Sequence, residues 1–246
     1  MKICVTMPAW NEAEGIGGFI EELHASLSIW NPTFIVVDDC STDTTADVVN
    51  SLGSMRSVIL STNEKNAGHG PSTVRGLQLA LAESPEVVIA LDGDGQFLGP
   101  DVSKCLTEFL SSDADIVEGV RKNRHDPLFR RITTHASRLL VWSRCRRLPT
   151  DANTPLRVYK PEKLRIMLNR IPDNAMTPNL LISSLSRKLQ MNIYEVEVSF
   201  IPRRGENEVG TSWGTTRRQV PSKRFAIFCA NAAVQWLSFP KPFQED

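Results

Sequence analysis

Asp92 and Asp94, separated only by Gly93 in Ala90-Leu91-Asp92-Gly93-Asp94-Gly95-Gln96, are the residues in this chain best suited to chemistry. Two carboxylates one residue apart suit a hard divalent cation, which takes oxygen ligands and leaves room for substrate phosphates. An acidic Gly-rich turn would have the same composition. The preceding run, Glu86-Val87-Val88-Ile89-Ala90-Leu91, reads as a short buried strand because it is apolar and partly β-branched. The carboxylates then lie beyond its carboxyl end, where open α/β sheets bind ligands.

A second apolar run also closes on acidic and hydroxyl residues: Phe34-Ile35-Val36-Val37-Asp38-Asp39-Cys40-Ser41-Thr42-Asp43. Two such strand ends, side by side, would face one ligand. Upstream, Lys2 to Met7 reads as a strand that is stopped by Pro8 and Asn11 and followed by an amphipathic segment from Glu12 to Leu27. Helical patterns follow near 44–52 and 71–81, with a short strand at 58–60 between them. The alternation predicts an α/β fold with a mostly parallel sheet flanked by helices.

The chain has 246 residues, enough to bury a large core in one compact unit. Its five cysteines show no C-x-x-C spacing, so reduced thiols and a cytoplasmic location are expected. The first residues enter a strand with no secretory pattern. The net charge is zero but unevenly spread: residues 1–118 hold 5 Lys+Arg against 18 Asp+Glu, and residues 119–246 hold 23 against 10. An acidic half suits a metal with its nucleotide, and a basic half an anionic partner; the two halves attracting each other would give the same distribution. No nucleic-acid partner is expected.

Several classes are disfavoured. Gly68-His69-Gly70-Pro71-Ser72-Thr73 lacks the third glycine of a dinucleotide fingerprint, and no P-loop motif occurs. The four histidines show no zinc spacing. A Gly-rich, basic N-terminal loop, as in sugar nucleotidyltransferases, is replaced by Pro8-Ala9-Trp10-Asn11-Glu12.

Met7 to Glu12, Val36 to Thr45, Asn66-Ala67-Gly68-His69-Gly70 with Arg75-Gly76, and Leu91 to Gln96 occur in this order. Together they resemble the family 2 glycosyltransferases with the GT-A fold, and within them the polyprenyl- or dolichol-phosphate sugar synthases. Ala114 to Arg121 looks like that family's strand ending in G-S-R, and Asp151 to Tyr159 like its D-x-x-x-G-F-R segment. The resemblance implies that Pro8, Trp10 and Glu12 flank the nucleotide, with Asp39 reading the base. It also implies that Asp92, Gly93 and Asp94 meet the donor diphosphate and Mg²⁺ or Mn²⁺, with Gln96 as a further metal ligand. Arg121, Arg203 and Arg204 would contact phosphate, since guanidinium forks match its oxygens; a solvated basic turn is the other reading of the Arg203-Arg204 pair. Implied too are a nucleotide diphosphate sugar donor and direct displacement with inversion.

The acceptor side departs from the pattern. Trp213 stands where the family usually has Lys, and Pro155-Leu156 replaces Gly-Phe before Arg157. A polyprenyl phosphate acceptor carries its own negative charge and needs little base catalysis. A hydroxyl acceptor would need a base, for which Asp151 is the candidate, although the same residue also suits a turn or cap. A non-catalytic nucleotide-sugar scaffold is the reading from another class.

The expected organisation is a catalytic domain over 1–220, comprising a nucleotide and metal half (1–118) and a basic acceptor half (119–220), then a helix and tail over 221–246. Leu128 to Leu148 reads as a basic amphipathic helix suited to a membrane surface. Phe225 to Phe239 is too short to span a bilayer, and its broad apolar face suits either the interface or core packing. Peripheral attachment to a membrane is the expectation.

Overall fold

A computed structural model describes residues 1–53, 57–121, 128–205 and 223–239. Seven strands, β1 (Ile3–Ala9), β2 (Thr33–Asp38), β3 (Val58–Thr62), β4 (Val87–Ala90), β5 (Ile116–Arg121), β6 (Arg157–Tyr159) and β7 (Ile193–Val198), form one sheet in the order β3-β2-β1-β4-β6-β5-β7. The pairs β1·β2, β2·β3, β1·β4 and β5·β7 are parallel. The short β6 runs antiparallel to both of its neighbours.

Both faces of this sheet are covered, which is why its central strands are apolar on both sides rather than alternating. Alternate residues of β1 divide accordingly. Ile3, Val5 and Met7 join a core built with α1 (Ala13–Ser26), α2 (Thr45–Gly53) and α4 (Gly99–Ser111). Cys4 faces a second core built with α3 (His69–Ala82), α6 (Pro161–Leu168) and α7 (Pro178–Lys188). The helices α5 (Leu128–Cys145) and α8 (Lys223–Ser238) add Val141 and Trp236 to that second core, and Phe239, just after α8, joins it.

The strands and helices read from the first half of the sequence are present. Helix α7 does not read as a surface helix because its polar stripe, Asn179, Ser183 and Arg187, is buried against the Glu118 and Arg157 cluster, with every residue from Pro178 to Arg187 buried. Strand β6 has only three residues, too few to show a period.

β6 also holds the most deeply buried charge. Arg157, with no exposed side-chain surface, stands opposite Ala90 of β4 and Glu118 of β5. Its Nε donates to Glu118 Oε1 (3.1 Å), one terminal nitrogen to Asn179 Oδ1 (3.2 Å) and the other to the Ala152 carbonyl (3.3 Å). Arg187 of α7 completes the cluster on Glu118 Oε2 at 2.7 Å. Removing Glu118, the carboxylate shared by Arg157 and Arg187, strands a buried charge on Arg157, a loss of about 3–5 kcal/mol. Glu118→Gln is therefore expected to lower the stability read from urea denaturation by about that amount. An unchanged midpoint and slope would show that this cluster does not hold the sheet.

Candidate active site

The strand order reverses between β1 and β4: the chain moves from β1 out to β2 and β3, then returns to the other side of β1. Such a switch point opens a crevice at the strands' carboxyl ends. Pro8 to Glu12 leave β1 there, and Asp92 to Gln96 leave β4. Gly93 lets the two meet. Its N–H donates to the Pro8 carbonyl at 3.1 Å, and a Cβ at this position would sit 2.7 Å from that oxygen.

The ends of β1 and β2 are stitched together by the small polar residues in their turns. Asn11 accepts from the Thr42 N–H (2.8 Å), and Ser41 accepts from the Asn11 N–H (2.9 Å). The Glu12 N–H donates to Thr45 Oγ1 (2.8 Å), and the Ala13 N–H to Asp43 (3.2 Å). Asp39, buried behind this turn, accepts from Asn63 Nδ2 (2.7 Å) and from the Ala67 and Gly68 N–H groups (2.8 Å each). It therefore holds in place the loop leading into α3.

That loop brings His69 to the acidic pair, with Nε2 3.3 Å from Asp92 Oδ1. Burial and the neighbouring charge of Asp92 push the Asp94 carboxyl up to about 7, even though the Gln96 N–H donates to it and Arg203 lies nearby. Burial disfavours charge on His69, but Asp92, then Asp94 and Asp39, outweigh it and raise the ring to about 9. Like charges held together in this way create a place for a cation. Among the described residues no group of three His, Cys, Asp or Glu side chains forms a protein-only cage. The donor set fits Mg²⁺ or Mn²⁺, which bind through one or two carboxylates plus substrate phosphates.

Residues 4–189 match the sequence profile described as Glycosyl transferase family 2. The chain belongs to that family. An undecaprenyl-phosphate 4-deoxy-4-formamido-L-arabinose transferase of Pectobacterium atrosepticum is 27% identical over 203 residues, covering 81% of this chain and 61% of that enzyme. The chain thus spans about three fifths of the length of that relative. An uncharacterized protein of Methanocaldococcus jannaschii is 29% identical over 191 residues, 74% of this chain and 81% of the other. In fold, the chain is similar to glucosyl-3-phosphoglycerate synthase from Mycobacterium tuberculosis, solved with Mn²⁺, UDP-glucose and phosphoglyceric acid. The TM-score is 0.68 at 18% identity, covering 100% of this chain and 81% of that one. Mannosyl-3-phosphoglycerate synthase from Rubrobacter xylanophilus follows at 0.66 and 18%, covering 100% and 77%. The GT-A fold expected from the motifs is the fold found.

Within this family 2 domain the residues singled out from the sequence fall into distinct places. Pro8, Glu12, Asp39, Asp92, Gly93 and Asp94 lie around the switch-point crevice, and Trp10, half-buried, is on the same β1 turn. Gln96 donates from its Nε2 to the Ile201 carbonyl at 3.1 Å, and its backbone N–H donates to Asp94. The Arg203-Arg204 pair divides. Arg203 forks onto Glu12, with Nε 3.0 Å from Oε2 and a second close contact to Oε1. Arg204 turns to α1, where it meets Glu22, donates to the Gly95 carbonyl (3.0 Å) and stacks over Phe19. Gly95 has φ +69°, and a Cβ there would strike the Arg204 side chain. Arg204 is thus a fastening of this loop rather than an open phosphate ligand.

Arg121 and Asp151 bind each other, with Nε to Oδ2 at 2.7 Å and a terminal nitrogen to Oδ1 at 3.0 Å. The segment around Trp213, with Arg217 and Arg218, lies outside the described residues. His69 is the site residue that reading by motif passed over as a site group; its signal was its place inside Asn66-Ala67-Gly68-His69-Gly70.

A carboxyl raised from 3.8 to about 7 binds more protons folded than unfolded, so its contribution to stability falls as pH rises through that window. Without divalent metal, Asp94→Asn is expected to melt higher than wild type at pH 8, with the difference vanishing near pH 4. Melting curves at the two pH values check this. Equal melting at pH 8 would show that the acidic pair carries no repulsion.

Proposed function

We propose that this chain is a metal-dependent, inverting glycosyltransferase that moves a sugar from a nucleotide diphosphate donor to a polyprenyl phosphate. One observation carries the reading: the Asp92-Gly93-Asp94 turn, with mutually repelling carboxylates, lies at the switch point of a family 2 domain. A relative's name gives undecaprenyl phosphate as acceptor, and fold neighbours were solved with Mn²⁺ and UDP-glucose, which supports both halves of the reading.

In this reading the base and ribose lie along the Pro8 to Glu12 turn and the Asp39 loop. Bound Mg²⁺ or Mn²⁺, held by Asp92 and Asp94 together with diphosphate oxygens, would offset the charge that grows on the leaving group. Arg203 lies close enough to influence Asp94 and adds fixed positive charge on the same side. An acceptor phosphate oxygen forms the new bond to the anomeric carbon from the face opposite the diphosphate. The diphosphate departs with the bonding electron pair, so the configuration inverts. The acceptor is already ionised at neutral pH and needs no proton removed. Accordingly, the one sequence-derived base candidate, Asp151, is held by Arg121 in a two-point ion pair. An acceptor of this kind resides in a membrane, so peripheral attachment belongs to the same reading.

The test combines purified protein, undecaprenyl phosphate in detergent and a panel of UDP-, GDP-, CMP- and TDP-sugars with Mn²⁺ or Mg²⁺. One donor is expected to give a lipid-linked sugar of inverted anomeric configuration by NMR. Chelation should abolish the product, and Asp94→Ala should lower its rate by at least about a hundredfold, the scale of losing one charge-stabilising group. Nucleotide binding without transfer to any acceptor would favour the scaffold reading, and product formed on hydroxyl acceptors alone would reassign the acceptor.

A further inference from the structure

Thr6 carries a hydroxyl into the interior of the sheet. The residue is 3% exposed, and its Oγ1 has no hydrogen-bond partner among the described residues. Alternation along β1 turns it to the same face as Cys4, the face that α3 covers. Gly76 of α3 makes room for it, since a Cβ there would collide with Thr6 Oγ1. An apolar β-branched residue would pack at this point without a polar atom to satisfy. A buried hydroxyl left unpaired is costly, so its presence calls for a partner.

A small cavity beside Thr6 supplies the space. It has room for one water, about 10 Å³, and is lined by Thr6, Thr73, Asp92 and Asn179 together with Pro8 and Pro155. The polar side chains come from three elements, and their hydrogen-bonding senses match. Thr73 Oγ1 of α3 donates to the His69 carbonyl (2.8 Å), so only its lone pairs remain. Asn179 Oδ1 of α7 accepts from Arg157 (3.2 Å), which leaves its Nδ2 to donate. Thr6 Oγ1 of β1 can do either.

One water meets all three demands. It accepts from Asn179 Nδ2 and Thr6 Oγ1 and donates to Thr73 Oγ1, the three bonds that a buried water typically makes. A cation fits less well, because an amide N–H with the Arg157 guanidinium behind it repels positive charge. An apolar cavity would stay dry, but this one is bordered by an unpaired hydroxyl.

We infer that this cavity binds one ordered water, which joins β1, α3 and α7 beneath the acidic turn. The carbonyl of Thr6 accepts from the Leu91 N–H and that of Pro8 from the Gly93 N–H, both at 3.1 Å. These two β1 residues thus grip the backbone on either side of Asp92, and both line the cavity. Asn179 belongs to the buried cluster of Glu118, Arg157 and Arg187. The water therefore connects that cluster to the strand that carries the grip. Its site goes beyond the transfer reaction and does not depend on which sugar or acceptor the domain takes.

Two measurements test this. A crystal structure that shows ordered waters is expected to place a single one within hydrogen-bond distance of Thr6 Oγ1, Thr73 Oγ1 and Asn179 Nδ2. A cavity without density, or Thr6 Oγ1 turned onto a protein carbonyl, would overturn the inference. The second is melting of Thr6→Val, read without divalent metal or nucleotide so that no site ligand contributes. The two side chains have the same shape and differ by the hydroxyl. With the water bound, valine removes one of its partners, and the variant is expected to melt about 2–4 °C below wild type. In a dry cavity valine removes only an unpaired hydroxyl, so equal or higher melting would count against the water. Should Thr6→Val fail to fold, the crystal structure of the wild type decides alone.

Discussion

The sheet depends on a charge cluster taken out of water in its middle. Between the parallel half, β3-β2-β1-β4, and the pair β5-β7 lies only the three-residue β6, whose Arg157 faces β4 on one side and β5 on the other. Three residues of backbone pairing are a weak join. Glu118, Arg157, Asn179 and Arg187 reinforce it by linking two strands and α7 in one hydrogen-bonded network. Buried ion pairs of this kind add little net stability over an apolar core, but breaking one is costly, so they favour a single arrangement. Here that arrangement joins β5, β6 and α7, and β6 in turn pairs through its backbone with β4, which leads to the acidic turn.

From that constraint the site can be followed outward. β4 sets Asp92 and Asp94 beside the end of β1, where Gly93 permits backbone contact. The polar turns after β1 and β2 bind each other, and Asp39 holds the loop that brings His69 to Asp92. Arg203 and Arg204 close the remaining side by reaching back to Glu12, Gly95 and Glu22. Arg203 and Arg204 thus meet carboxylates of the chain itself, while Asp92 has His69 beside it and Asp94 stands next to Asp92.

The acceptor side follows a different logic. Arg121 and Asp151 neutralise each other, and the segment between them carries a helix whose outer face is apolar and basic. Helix α8 docks through Trp236 and through Gln235, which bonds to Met176 and Asn174.

The sequence by itself determined the parallel half of the fold and the place of the acidic turn. Short β-branched runs ending in Asp, Asn, Ser or Gly specify a buried strand and its stop locally, whatever surrounds them. It also determined the family, because four weak motifs in a set order are jointly specific. Only the tertiary structure decided the rest. The antiparallel β6 is too short to show a period, and α7 has its polar stripe buried where a surface helix would expose it, so both depend on their neighbours. Whether an arginine meets phosphate or a carboxylate depends on what lies across a gap of many residues: Arg203 finds Glu12, 191 positions away, and Arg204 finds Glu22, 182 away. The same holds for α8, whose sequence allows its apolar stripe to face either way, and which is oriented by Gln235, Trp236 and Arg144. Local sequence dictates local geometry, whereas the pairing of distant charges and the choice of a buried face are decided by which surfaces the folded chain brings together.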